Sequence, residues 1–135
     1  MLYLQSYPFD CNEQIASRVL AIASLRDVLS AFEAEGLPPS KELEAQVESD
    51  LDRLSARQNW NGGWSFWRKG DETWPFLSIH VANSLARAKA KGFRVQDDTW
   101  SRSQQHLRDI QSYIPHWYSQ ESKWFLRAYA LDVRR

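Results

Sequence analysis

Apolar residues recur along this chain at helical spacing, and Gly or Pro interrupts the pattern at intervals. This combination limits the fold more than any other feature, because a 3.6-residue period puts one face of a helix, not of a strand, into a core. Between 12 and 35, Ile15, Val19, Ile22 and Leu29 share a face. Gly36-Leu37-Pro38-Pro39 stops that helix, and Ser40 is a suitable N-cap for the next. Leu43, Val47, Leu51 and Leu54 stripe the segment 41–58. Residues 59–73 break the period, and Asn61-Gly62-Gly63 there signals a turn that Trp64 can pin to the core. Thr73 is expected to cap a third helix with Pro75 near its first position and Leu77, Val81, Leu85 and Ala88 as its apolar row. Gly92 ends it. A fourth helix, capped by Asp97 or Asp98, points Trp100, Leu107, Ile110 and Ile114 inward and stops at Pro115. A fifth, over 120–133, shows Trp124, Ala128 and Leu131.

The expectation is therefore an all-α chain of about five helices in antiparallel pairs, 12–35 with 41–58 and 74–91 with 98–113, the fifth left unpaired. Residues 1–135 read as a single domain, and as a fragment of something longer. Seven Trp are many for such a length, and five of them (Trp60, Trp64, Trp67, Trp74 and Trp100) fall close together. They are expected to build the core rather than a binding surface.

Several function classes drop out. Lys plus Arg and Asp plus Glu are both 17, so the chain has no net field to attract nucleic acid. No stretch approaches the roughly 18 apolar residues of a membrane span. A single Cys permits neither an internal disulfide nor a zinc site needing two thiolates. No P-loop, Gly-x-Gly-x-x-Gly or His-Glu-x-x-His spacing is present, so no cofactor and no metal is expected. His80, among apolar neighbours, reads as a packed histidine; His106 reads as surface, and His116 as a loop residue.

The one Cys stands in Tyr7-Pro8-Phe9-Asp10-Cys11-Asn12-Glu13-Gln14. A Cys at a helix start feels the partial positive charge of the exposed N–H groups, which favours thiolate. Positions 11 and 14 share a face of the first turn. A thiolate there can attack the Gln14 carboxamide and expel ammonia, leaving an internal thioester. Such a bond survives only under apolar cover, which Tyr7 and Phe9 are placed to supply. Glu13 is a candidate assisting base, although an acid in the first helical turn also simply complements the helix dipole.

Cys-x-Glu-Gln, preceded by Tyr-Pro-Phe and followed by Ile-Ala-Ser-Arg, resembles the thioester motif of the alpha-2-macroglobulin and complement family, the bacterial branch most closely. Gln58-Asn59-Trp60-Asn61-Gly62-Gly63-Trp64 and the helix opening at Pro75-Phe76 resemble a second block of the same domain. The resemblance implies the first half of an α/α toroid within a large multidomain protein. It implies a single-turnover protease trap rather than an enzyme: cleavage of a bait segment exposes the thioester, which acylates the attacking protease. For a bacterial parent the implied setting is periplasmic or extracellular, with other domains of the same chain as partners. Two departures stand out. Asp10 replaces the usual Gly before the Cys, and a carboxylate there is expected to oppose the thiolate. Asn61 replaces the Asp of the turn. Two alternatives stay open: a helical interaction module with a vestigial site, and a toroid enzyme of the terpene cyclase or prenyltransferase kind. An exposed inner helix face would also favour a homo-oligomer.

Overall fold

The computed structural model describes residues 10–32 and 40–135. Among them are six α-helices: α1 Asn12–Phe32, α2 Ser40–Arg57, α3 Pro75–Ala90, α4 Asp97–Arg108, the single-turn α5 Ile110–Tyr113 and α6 Gln120–Arg134. No strand occurs among the described residues, so the all-α expectation holds. Tyr7, Phe9, the Gly36–Pro39 stop and the Leu29 side chain lie outside the described part.

The helix starts differ from the expected caps. Trp74, in extended conformation, precedes α3 with no side-chain cap, and Pro75 takes the first helical position, where its missing N–H costs nothing. Thr73 is used elsewhere: its hydroxyl accepts the Asn59 amide at 2.8 Å. Asp97 and Asp98 sit inside the first turn of α4, after Gln96, and complement the helix dipole instead of capping. The expected fourth helix is broken at Asp109, where an i→i+3 bond from Ser112 N (2.8 Å) tightens the backbone before α5. Ser119 caps α6 by accepting from Ser122 N at 3.1 Å.

α3 organises the core. Its Leu77, Val81, Leu85 and Ala88 row packs with Ile15, Val19 and Ile22 of α1, Leu43, Val47, Leu51 and Leu54 of α2, and Trp64. Its opposite row, Ile79 and Ala82, packs with Leu107, Ile110, Ile114, Leu126 and Ala130. α3 is thus apolar on two sides. The supposedly unpaired last helix packs on α3, α4 and α5. It does so through Leu126 and Ala130, one face round from the expected residues: Trp124 and Leu131 are 61% and 60% exposed, and Ala128 is exposed.

α1 and α2 are antiparallel, as Arg26–Glu44 (2.6 Å) and Arg18–Asp50 (2.7 Å) show at successive levels. α1 packs even more extensively on α3, and there the pairs Ser17–His80 and Arg26–Lys91 advance together, so these two helices run parallel. Sequential hairpins alone do not describe the chain. Nor do the tryptophans build the core. Trp64 is fully buried and donates its indole N–H to Leu54 O at 2.8 Å, and Trp100 is partly buried. Trp60, Trp67, Trp74, Trp117 and Trp124 are exposed.

The turn at 59–64 is closed by Asn59 N to Gly63 O (2.8 Å) and Gly62 N to Asn59 O (3.0 Å). Gly62 has φ +87°, which only glycine adopts freely. Gly63 is needed for space instead: a Cβ there would lie 2.6 Å from Thr73, 2.7 Å from Ser78 Oγ and 2.8 Å from His106. His106, expected at the surface, is 1% exposed. Its Nδ1 pairs with Asn61 O at 2.8 Å, and its ring stacks on Tyr113 at 4.1 Å.

Gly63→Ala is expected to lower stability by about 1–3 kcal/mol, as an overpacked site does, read as a fall in the urea midpoint. Burial lowers the His106 pKa, against a smaller opposing effect of the Asn61 hydrogen bond. The unfolded chain then binds more protons than the folded one below about pH 6.5. Stability is complete above that value and declines as pH falls toward the folded pKa. Urea midpoints between pH 7.5 and 5.5 should fall, and His106→Gln should flatten the decline.

Candidate functional site

Cys11 is the residue immediately before α1, and Ile15 N closes the first helical turn onto its carbonyl at 3.0 Å. Gln14 is the third residue of the helix. Its Oε1 reaches back and accepts the Cys11 backbone N–H at 3.0 Å. This is the reach-back half of a capping box. It satisfies a donor at the helix start and holds the Gln14 carboxamide against Cys11. The two residues singled out in the sequence are thus brought together on one turn, with Cys11 half-buried and its thiol free.

The start of α1 is fixed by the 58–74 loop. Asn12 is fully buried; its N–H donates to Phe66 O and its Nδ2 to Ser65 O, both at 2.7 Å. The loop that begins with the Gly62-Gly63-Trp64 turn therefore ends against the Cys11 helix. The turn itself hangs on Trp64, whose N–H donates to Ser78 Oγ of α3 at 2.9 Å. The same loop carries exposed aromatics, among them Trp74, which was expected in the core. Phe66 and Trp74 meet edge to face at 5.9 Å, both partly exposed, beside the first residue of α1. They can contribute the apolar cover assigned from sequence to Tyr7 and Phe9.

Asp10 does not act as an isolated charge beside the thiol. It is 4% exposed, and its Oδ2 lies 2.6 Å from Arg18 and 3.3 Å from Arg53. Arg18 also grips Asp50 through two bonds of 2.7 Å. Burial disfavours the Arg18 charge, but its bonds to Asp50 and Asp10 outweigh that and raise its pKa above the ordinary value. Arg57 donates to Asp10 O at 3.0 Å and to Asn12 Oδ1 at 3.2 Å. Burial and then Arg53 lower its pKa, with Asp10 opposing. Arg18 and Arg53 thus pair the two carboxylates behind Cys11, and Arg57 holds the groups beside them. This paired network joins residues too far apart in sequence for spacing to reveal it.

Glu13 and Ser17 lie on the α1 face toward α3. Ser17 Oγ donates to Glu13 Oε1 and meets His80 Nε2, both at 3.0 Å. His80 is half-buried and hydrogen-bonded, as expected of it, and its ring lies parallel to Phe76 at 6.4 Å. Burial lowers its pKa, and Glu13 partly restores it. Among the described residues no group of three or more His, Cys, Asp or Glu could hold a metal ion, and no helix is long and apolar enough to cross a membrane.

No family model matches the chain. The alpha-2-macroglobulin of Xylella fastidiosa (strain Temecula1 / ATCC 700964) is 33% identical over 104 residues, 76% of this chain. The chain belongs to the bacterial alpha-2-macroglobulin family. It spans 6% of that relative's length. The crystal structure of native Escherichia coli alpha-2-macroglobulin from domain MG7 to the C-terminus superposes with TM-score 0.80 at 26% identity, over 98% of this chain and 22% of that one. Salmonella alpha-2-macroglobulin reacted with methylamine shares the fold with TM-score 0.80 at 24% identity, over 98% of this chain and 9% of that one.

Asp10→Ala removes one of the two carboxylates that answer the buried Arg18 and should cost about 3 kcal/mol, measured by urea unfolding. Replacing Asp10, Arg18 and Asp50 together by apolar residues should cost less than that single change.

Proposed function

We propose that this chain is the thioester-bearing part of a bacterial protease-trapping protein, with the bond formed between Cys11 Sγ and Gln14 Cδ. The single observation that carries the reading is the Gln14 carboxamide folded back onto Cys11 at the start of α1. In formation, Cys11 Sγ attacks Cδ, the C–N bond breaks, and ammonia leaves with the thiol proton. In capture, a lysine amine of a protease attacks Cδ, the C–S bond breaks, and the Cys11 thiol is released as an amide forms. Each molecule reacts once, so the chain is an inhibitor rather than an enzyme. Within the parent, its partners are target proteases and neighbouring domains of the same protein, and the helices form part of an α/α toroid. The setting is the periplasm or cell exterior. Supporting this are the family membership and the solved relatives, one of them trypsin-activated alpha-2-macroglobulin from Escherichia coli.

One observation favours a second reading. Gln14 already does a structural job as a helix cap, so its presence is explained without chemistry. In that case the chain is a helical interaction module with a vestigial site.

Intact mass before and after methylamine separates the two. The full-length parent should be lighter than its sequence by one ammonia, then gain one methylamine and expose one thiol. Cys11→Ala should abolish all three changes. A parent of full sequence mass with a free thiol and no adduct would favour the interaction module.

A further inference from the structure

Gln14 is not alone in presenting a side-chain amide to an internal nucleophile. Asn61 stands directly before Gly62 in the 59–64 turn. An Asn followed by Gly is prone to attack by the next backbone nitrogen, because Gly has no side chain to obstruct ring closure. Closure needs an unengaged Gly62 N–H, a carboxamide free to turn and a Gly62 backbone free to move. The turn denies all three. Gly62 N donates to Asn59 O at 3.0 Å. The Asn61 carboxamide is tethered at both ends: Oδ1 accepts from Gly63 N at 3.0 Å, and Nδ2 donates to Thr73 Oγ1 at 3.2 Å. The Gly62 backbone lies so close to α4 that a Cβ on it would collide with the Arg102 carbonyl. The donor on Oδ1 would polarise the amide for a free nucleophile, so the hold lies with Gly62 and the tether on Nδ2.

We propose that Asn61 is a self-modification site that the folded turn keeps unreacted and that reacts when the 58–74 loop opens, leaving a permanent record of the opening. In the step, Gly62 N bonds to Asn61 Cγ, the Cγ–Nδ2 bond breaks, and ammonia leaves with the Gly62 amide proton. Water then opens the cyclic imide. Cleavage between Gly62 N and Cγ gives aspartate on an unchanged backbone. Cleavage between Gly62 N and the former main-chain carbonyl gives isoaspartate, with an extra methylene in the main chain. Water is the one co-reactant, and nothing is oxidised or reduced. The fold can accept only one product. Aspartate keeps an acceptor for Gly63 N and for the Thr73 hydroxyl. Isoaspartate lengthens the path that Asn59 N to Gly63 O closes, and it displaces the carbonyl held by His106 Nδ1 at 2.8 Å. Arg102 O and the His106 side chain leave no room for the longer path. An isoaspartyl chain therefore cannot seat Ser65 and Phe66 on Asn12 at the start of α1.

The test uses the full-length parent, aged at mildly alkaline pH in buffer and in unfolding urea. Tryptic digestion after denaturation releases Gln58–Arg68, in which mass reads the exchange of NH2 for OH at Asn61 and chromatography separates the two isomers. The native protein should convert about a hundredfold more slowly than the unfolded one, as when reaction runs only through an open state of about one per cent population. Thr73→Val, which removes the acceptor of Asn61 Nδ2 at nearly constant volume, should speed the native rate by about tenfold and leave the rate in urea unchanged. Asn61→Asp should unfold at the wild-type urea midpoint. Urea-aged protein returned to buffer should enter the folded fraction as aspartate and not as isoaspartate. Equal rates in buffer and urea would overturn the hold, and no conversion in urea would overturn the site itself. Isoaspartate in the folded fraction would overturn the discrimination between products. Should Thr73→Val not fold, the comparison of the wild type in buffer and in urea decides alone.

Discussion

Arg18, clamped between Asp10 and Asp50, is the interaction on which the site depends. The three side chains are almost wholly excluded from water, so each charge must be answered inside the protein. A buried ion pair seldom adds net stability over an apolar replacement of the same volume. What it adds here is position. Asp10 precedes Cys11 directly, and Arg18 lies two turns into α1, so the clamp ties the residue before Cys11 to the helix. Asp50 ties both to α2. Arg57 then holds the Asp10 carbonyl and Asn12, and the backbone on either side of Cys11 has little freedom left.

The 58–74 loop supplies the other half of the enclosure. Its polar side chains are spent mostly on its own groups: Asn59 bonds to Asp71 O, Thr73 Oγ1 and Gly70 N, and Gln58 to Gly62 O, with a further bond to Thr99 O of α4. An irregular segment holds one shape when its backbone groups find such partners. Held in this way, Ser65 and Phe66 present their carbonyls to the first residue of α1. The loop that carries the second stretch resembling the family is therefore in physical contact with the first.

Much of this was legible beforehand. The apolar rows of α1, α2 and α3 follow from spacing, since a 3.6-residue period leaves little choice of buried face. The Cys11–Gln14 juxtaposition follows from the geometry of one helical turn. Other features depend on partners distant in sequence. Nothing local distinguishes His106, which is buried, from His116, which is not; the difference is the Asn61 carbonyl above one of them. The tryptophans misled because indoles suit both a core and a rim, and only Trp64 has a backbone acceptor waiting inside. For α6, Trp124 and Leu131 outrank Ala130 in hydrophobicity, yet the small residue is the one that allows close approach. Asp10 looked like an obstacle to chemistry because Arg18 and Arg53 are separated from it in sequence, by eight residues in one case and forty-three in the other.

The parallel docking of α1 on α3 has a kinetic corollary. Most helical proteins of this size gain their contacts from neighbouring helices and fold quickly for that reason. Here the most extensive helix–helix contact skips α2 and the whole loop, as the sixty-three-residue separation of Ser17 and His80 illustrates. Closing so long a loop carries its entropic cost before any packing repays it. The α1–α2 hairpin can form by local collapse, but α1 finds α3 only after the intervening turn has taken shape. Folding of this chain should be slow for an all-helical protein, with the site around Cys11 among the last regions to consolidate.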